Sequence, residues 1–254
     1  MFAHERHQAI LEALAKSSPL AIGDLQRKLD VSAPTIRRDL AFLSKLGKIV
    51  RTHGGVMHPD QIDGEFSFDR KSRAALDAKL ALARVAADLM VPGQTAFVDA
   101  GSTTFEIGRR LLQSPGLTVF TNSVPLLSVR PAAGARLVAV GGEVRSLSLA
   151  LVGSEVFDWL GKVRIDLAFL GTSGLDRAAG ATTTEFSEAG VKSAVAGKAR
   201  RTVVVADASK WDQPAPICFA PWHRISDLVC DHSFTRAELA ELTARGTRLH
   251  RPHL

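Results

Sequence analysis

From residue 95 onward, short apolar runs alternate with helical segments, and the runs end in Gly, Ser, Thr, Asn or Asp. The runs are TAFVDAG (95–101), LTVFTNS (117–123), RLVAVGG (136–142), DLAFLGTSG (166–174) and RTVVVADAS (201–209). STTFEIGRRLL (102–112) and EFSEAGVKSAVAGKA (185–199) read as helices among them. Alternation of strand, loop and helix argues for an α/β layer fold with a mostly parallel sheet. In such sheets ligands bind outside the carboxyl ends of the strands. The residues at those ends include Asp99, Gly101, Ser102, Thr103, Thr104, Thr121, Asn122, Ser123, Gly141, Gly142 and Gly171, with 207–210 after the last run. A rim of short polar residues suits a small polar ligand.

The segment 101–104 (GSTT) is the most specific of these ends. A glycine-hydroxyl turn that opens a helix points free backbone N–H groups, and the positive end of the helix dipole, at one place. That is a cradle for phosphate. The alternative is a plain N-cap, with Ser102 or Thr103 closing the helix; similar ends on four other strands weigh against it. No GxxxxGK[ST] or GxGxxG occurs.

The first 58 residues read differently. Ile10, Leu11 and Leu14 sit at helical spacing, and Ser17-Ser18-Pro19 stops that helix. Ile22, Leu25 and Leu29 share one face of a second helix. Ser32 is a suitable N-cap for a third, with Pro34 tolerated in its first turn. There Ile36, Leu40, Leu43 and Leu46 form a buried stripe, while Pro34, Arg38, Ala41 and Lys45 lie opposite, flanked by Thr35 and Arg37. Small residues permit close approach to a major groove, and arginine can fork onto guanine or phosphate. Residues 49–52, then Gly54-Gly55, read as a short wing with Arg51 and His53 near its tip. The order predicts a winged helix-turn-helix; a three-helix bundle with a basic surface is the alternative.

Charge bears on that choice. Residues 1–58 hold nine Lys or Arg against five acidic residues, +4 of the chain's net +6. Such an excess is either a solvated face or a module that binds an anionic polymer. Residues 57–73 lack a clear period and read as a connector. The next stretch returns to helical spacing with Leu76, Leu80, Ala83 and Leu89; it either opens the second domain or helps dimerise the protein.

VSAPTIRRDLAFLSKLGKIVRTHGGV closely resembles the DNA-binding signature of the DeoR family of bacterial transcription regulators, through TIRRDL (35–40) and RTHGG (51–55). The resemblance implies that Ser32, Thr35, Arg37 and Arg38 touch DNA, with Arg51 supporting from the wing. Asp39 lies nearer the buried stripe and reads as structural, paired with a neighbouring cation. DAGSTTFEIGRRL, VFTNSVPLL, VGGEVR, AFLGTSGLD and VVVADASKW resemble, in order, the effector domain of the same family. That implies a fold like ribose-5-phosphate isomerase and a phosphorylated sugar or related metabolite as ligand. By the resemblance, Ser102, Thr103 and Thr104 hold the phosphate, and Asp99, Asn122, Arg145, Glu188, Lys192 and Lys210 read hydroxyls or charge around it. Ala100 stands where the family often has Gly or Ser.

The expected architecture is therefore a winged helix-turn-helix (1–58), a linker (59–73) and an α/β effector-binding domain (74–254). Cys218 and Cys230 form no CxxC and read as packing thiols; Trp159, Trp211 and Trp222 also read as packing residues. His250 and His253 fall in a terminal tail. No catalytic residue, metal or cofactor is expected. No apolar run approaches the roughly 18 residues of a membrane span, and charges occupy the place of a signal peptide's apolar region, so the expected location is the cytoplasm. The expected function is a DNA-binding regulator, a repressor of a sugar or polyol operon acting as a homodimer or homotetramer on operator DNA. The alternative is a sugar-phosphate isomerase-like enzyme using Asp99, Glu185, Glu188 and Lys192 as acid/base groups.

Overall fold

A computed structural model describes residues 2–16, 19–52, 54–57, 61–62 and 65–252. Ser17, Ser18, His53, residues 58–60 and 63–64 of the expected connector, and His253 lie outside the described residues. Contacts divide the chain into two compact units, Met1–Ser67 and Phe68–Leu254.

In the first unit, α1 (Ala3–Lys16), β1 (Leu20–Ala21), α2 (Ile22–Leu29), α3 (Ala33–Lys45), β2 (Val50–Thr52) and β3 (Gly55–Met57) follow in order. A two-residue hairpin, β4 (Gln61–Ile62) and β5 (Glu65–Phe66), comes after them. The wing is real: β2 pairs antiparallel with β3, and β1 adds to the other edge of β3. Gly55 is where β3 presses on β1, since a Cβ there would lie 2.5 Å from the Leu20 carbonyl oxygen. The core joins Ile10 and Leu14 to Leu25, Ile36, Leu40 and Leu43. Leu46 departs from the expected stripe and is 53% exposed, because α3 ends at Lys45 and the chain turns away at Gly47, φ +67°. Ser32 occupies the N-cap, but its hydroxyl meets the Thr35 hydroxyl (3.0 Å) rather than a backbone N–H.

Asp39 has the cation partner its position implied. The Arg6 guanidinium donates to both carboxylate oxygens (2.8 and 3.1 Å), and His7 Nε2 lies 3.0 Å from Oδ1. His7 also stacks on Phe42 of α3. Burial alone would raise the Asp39 pKa; the Arg6 and His7 hydrogen bonds outweigh it and hold the carboxyl below its usual value. A depressed carboxyl adds stability that is complete above the unfolded value and lost as pH falls through the folded one. Asp39→Ala is expected to destabilise the first unit by about 1–3 kcal/mol, the scale of lost hydrogen bonds to a charged group, because the Arg6 and His7 side chains that it leaves behind are only half-buried. Thermal melts should show the Asp39→Ala penalty shrinking below about pH 4, where the wild-type carboxyl also takes its proton. A pH-independent difference would mean that the charge is not the source.

The second unit begins earlier than the sequence period suggested. α4 (Phe68–Arg73) lies in the stretch read as a connector, and α5 (Leu76–Ala87) follows across Ala75 at φ +49°. Then come β6 (Thr95–Val98), α6 (Ser102–Leu111), β7 (Thr118–Thr121), β8 (Arg136–Ala139), β9 (Glu143–Arg145), β10 (Ala150–Val152), α7 (Ser154–Lys162) and β11 (Leu167–Gly171). β12 (Gly174–Asp176), β13 (Gly180–Thr183), α8 (Phe186–Lys198), β14 (Arg201–Ala206), β15 (Ile217–Pro221), β16 (Asp227–Cys230), α9 (Arg236–Ala244) and β17 (Arg248–His250) complete the unit. The seven-stranded sheet has the order β17-β16-β14-β11-β6-β7-β8, and its pairings are all parallel.

Both faces of this sheet are covered, which is why its strands are continuous apolar runs. Alternate residues point to opposite faces. Ala96, Val98, Phe169, Val203 and Val205 pack with α5 and α6. Phe97, Ala168, Leu170, Val204 and Leu228 pack with α7, α8 and α9. On α5 the buried face is Lys79, Leu82, Ala83 and Ala86, whereas Leu76 and Leu80 are each 43% exposed. His250 is no tail residue; it pairs in β17, and its Nε2 sits 2.9 Å from the buried Asp227, which also accepts two hydrogen bonds from Arg201 Nη2. Trp211, Trp222 and Cys230 pack in the core; Cys218 is exposed. Among the described residues no helix is long and apolar enough to cross a membrane, and no group of three or more His, Cys, Asp or Glu is placed to hold a metal.

Candidate functional site

Chain order along the sheet reverses beside β6. From there β7 and β8 run outward one way, and β11, β14, β16 and β17 the other. The crevice at such a reversal, at the carboxyl ends of the strands, is where open α/β sheets take ligands. Here it lies between the ends of β6 and β11.

Asp99 directly follows β6, and Gly171 ends β11. The Gly171 amide donates to Asp99 Oδ2 (3.2 Å), and the Lys192 ammonium of α8 donates to the same oxygen and to the Gly171 carbonyl (3.0 Å). Asp99 and Lys192 are 2% and 4% exposed. Burial pushes the Asp99 carboxyl upward, against the pull of Lys192 and the Gly171 amide. Residues 72 and 93 positions apart are thus gathered into one set.

Gly101 is the N-cap of α6, in extended conformation, and no side chain caps it. The first amides of a helix have no intrahelical partner, so this N-terminus is open beside Asp99. Ser102 is buried and Thr103 half-buried. Thr104 does a different job: its hydroxyl donates to the Asp99 carbonyl (2.7 Å) and the Gly101 carbonyl (3.0 Å), which folds the turn. At the end of β7, the Thr121 hydroxyl donates to Val98 O (2.6 Å) and accepts from the Ser123 amide (3.0 Å). Asn122 bridges segments, accepting from the Ala100 amide (2.9 Å) and donating to Leu151 O (3.3 Å). Thr104, Thr121 and Asn122 therefore shape the crevice from behind. Gly142 has a backbone reason of its own: φ is +109°, and a Cβ would meet the Val152 carbonyl at 2.5 Å. With Gly141 (φ +78°) it starts the β9–β10 hairpin that returns to Asn122.

Arg145, at the end of β9, reaches α8. Its Nη1 donates to Glu188 Oε1 (3.0 Å), and its Nε lies 4.0 Å from Glu185 Oε2. Glu185 is the N-cap of α8 and accepts from the Glu188 amide (2.8 Å). Burial alone would raise Glu185; the amides of Glu188 and Ser187 and the charge of Arg145 hold it below the usual carboxylate range. Lys210 stands apart on the turn after β14, one strand beyond β11, within electrostatic range of Lys79. Lys79 was not singled out in the sequence. It is 5% exposed, its ammonium donates to the carbonyls of Lys71 and Ala74 at the end of α4, and burial pushes its pKa down. A separate surface groove of about 500 Å³, lined in part by Met90, Pro92, Arg110 and Ser114, lies at the amino ends of β6 and β7, remote from this chemistry.

In the first unit, Ser32, Arg37, Arg38, Lys45 and Arg51 are exposed and Thr35 is half-buried. Arg37, Arg38 and Lys45 stand on α3 and Arg51 on β2, with no ion pair to another described residue. Cations left unpaired on a helix and wing are free to neutralise phosphates or read base edges.

Residues 6–61 match the DeoR-like helix-turn-helix domain, and residues 74–232 match the DeoR C terminal sensor domain. The HTH-type transcriptional regulator GlpR of Haloferax volcanii is 32% identical over 246 residues, covering 97% of this chain and 96% of its own. The putative aga operon transcriptional repressor of Escherichia coli O157:H7 is 29% identical over 248 residues, 96% and 92% of the two chains. The glycerol-3-phosphate regulon repressor of Escherichia coli K12 is 29% identical over 214 residues, 84% of each. Among solved structures, ribose 5-phosphate isomerase A of Methanocaldococcus jannaschii matches 54% of this chain and 55% of its own, at 20% identity and a TM-score of 0.38.

Proposed function

The chain belongs to the DeoR family of DNA-binding transcriptional regulators, and on that premise we propose that it is a repressor of a sugar or polyol operon whose hold on operator DNA is set by a phosphorylated sugar or polyol. The observation that carries the ligand class is the uncapped N-terminus of α6 at the point where the sheet reverses, next to the buried Asp99. It offers an anion site of backbone amides with Ser102 and Thr103 at its mouth, and a polar wall of Arg145, Glu185, Glu188 and Lys192 for the hydroxyls. The names of the relatives that act on glycerol-3-phosphate and aga operons support the same class.

On the DNA side, Ser32, Thr35, Arg37, Arg38 and Lys45 of the α3 region enter a major groove, and Arg51 follows the backbone from the wing. Two such units of a homodimer, or four of a tetramer, engage half-sites. The ligand acts by binding DNA-competent and incompetent states unequally; a coupling of about 1–3 kcal/mol changes operator affinity roughly 5–150-fold. The protein works in the cytoplasm and turns nothing over. Each candidate acid/base group is already engaged internally: Asp99 with Lys192, Glu188 with Arg145, Glu185 at the start of α8. Pentose phosphate turnover that disappears in Glu188→Gln would favour the isomerase instead.

Thr103→Asp tests the anion site. An acid in the first turn suits the helix dipole, so the fold should hold. Two negative charges about 4 Å apart repel by about 4 kcal/mol at an effective dielectric near 20, so the phosphate should be expelled. The expected result is an unchanged melting temperature, retained operator binding, and loss of both the thermal shift and the operator release that phosphorylated polyols give the wild type. A normal ligand response in Thr103→Asp would place the phosphate elsewhere.

A further inference from the structure

The carboxyl rim of the seven-stranded sheet holds the crevice; the opposite rim gathers positive charge. At the amino ends of four neighbouring strands, β11, β14, β16 and β17, lie the segments 162–166 (KVRID), 198–201 (KARR), 224–227 (RISD) and 245–248 (RGTR). They hold eight Lys or Arg against two Asp, a local +6, whereas all of 68–254 nets only +5. Backbone bonds set the four segments in a row. The Arg200 amide donates to Ile165 O, the Ser226 amide to Thr202 O and the Arg248 amide to Ser226 O, each at 3.0 Å.

Lys162 and Lys198 end α7 and α8, where a cation suits the helix dipole. That cause does not reach the arginines that open β14 and β17 or precede β11 and β16, because sheets carry only small dipoles. Two of these arginines are fixed in place. Asp227 is fully buried; it accepts from Arg201 Nη2 (2.9 Å) and lies 3.1 Å from Arg248 Nε. One carboxylate thus positions two guanidiniums and leaves a cation in surplus. Arg164 and Arg224 are exposed with no ion pair to a described residue, and Arg200, 79% exposed, has Asp166 only at 3.8 Å. Arg224 lies against the last turn of α8, since a Cβ at Gly197 would come 2.7 Å from its Nη1. Charges of one sign gathered this way repel one another, so the array calls for an anion outside it.

The spread of the array selects the class of anion. The four strand starts span about 14 Å, three strand spacings. One small anion cannot meet cations over that length; a polymer with a charge per about 3.4 Å of strand can. Planar guanidiniums fork onto phosphate oxygens, and the chain belongs to a family of DNA-binding regulators. We propose that this rim is a second DNA surface, which holds phosphates of duplex DNA beyond the half-site read by α3 and adds affinity without sequence preference.

Binding of the full chain to an operator carried in a longer duplex, and to non-operator duplex of the same length, is measured against salt. Arg164→Gln/Arg200→Gln/Arg224→Gln removes three exposed side chains, so its melting temperature should stay at the wild-type value. Each lost phosphate contact lowers the salt slope by about 0.9, so the expected fall is roughly 2–3, with both duplexes weakened alike. In an Arg37→Ala/Arg38→Ala background, the residual binding to non-operator duplex should drop further when the three rim arginines are also replaced. Arg73→Gln/Arg130→Gln/Arg236→Gln makes the same change of charge outside the four segments and should leave the slope as it is. Equal falls in the two triple variants would make net charge the cause and overturn the proposal. So would an unchanged slope and affinity in Arg164→Gln/Arg200→Gln/Arg224→Gln. If that variant binds DNA normally but sediments as a smaller species, the rim meets an acidic face of a second copy, which overturns the DNA surface as well.

Discussion

Alanine at Arg38 will weaken binding to the operator by about 1–3 kcal/mol, roughly 5–150-fold, if the guanidinium reads a base edge. The side chain is exposed on α3, on the face opposite Ile36, Leu40 and Leu43, and pairs with no described residue. Removing it costs no packing, so the melting temperature should not move and the whole change falls on DNA. Arg37→Ala separates two roles. A base contact relaxes specificity at one position, whereas a phosphate contact weakens all sequences alike and lowers the salt slope by about one. Binding of an operator defined by in vitro selection, measured against salt for both variants, assigns each arginine. An Arg38→Ala/Arg37→Ala protein with wild-type affinity and footprint would remove α3 from the interface.

The buried and exposed faces of α3 were legible from local pattern alone. α3 carries its apolar stripe, its proline and its cations within thirteen residues, so the buried and exposed faces separate at the helical period. The polar ends of β6, β7 and β11 were legible for a similar reason: a strand covered on both faces is a continuous apolar run, and its end is abrupt. The period failed on α5. LDAKLALARVAA offers Leu or Ala in nearly every direction, and the buried face takes in Lys79, whose ammonium donates to carbonyls at the end of α4. No local signal announces that contact. His250 was opaque for another reason, since its strand exists only by pairing with β16, some twenty residues earlier.

Lys192→Met is expected to lower stability by about 3–5 kcal/mol, which for a unit of this size is a drop of roughly 6–20 °C in melting temperature. The change removes the ammonium and leaves Asp99, 2% exposed, with the Gly171 amide as its remaining donor. An uncompensated buried carboxylate takes up a proton instead of staying charged. The sign with pH follows from that. Burial already raises the Asp99 carboxyl, and without Lys192 it rises further, so the folded state binds more protons than the unfolded state above the unfolded pKa near 4. Stability of Lys192→Met should therefore recover as pH falls from 7 toward 5, opposite in direction to the acid loss expected from Asp39. Removing both charges completes the test: Lys192→Met/Asp99→Leu should regain most of the lost stability, because a buried pair replaced by apolar groups of similar volume is often neutral. If Lys192→Met melts within a degree of the wild type, the pair contributes nothing to the fold. If the double variant melts normally and still answers to a phosphorylated polyol, Asp99 and Lys192 position the crevice without touching the ligand, whereas a stable double variant that is blind to the ligand places them in direct contact with it.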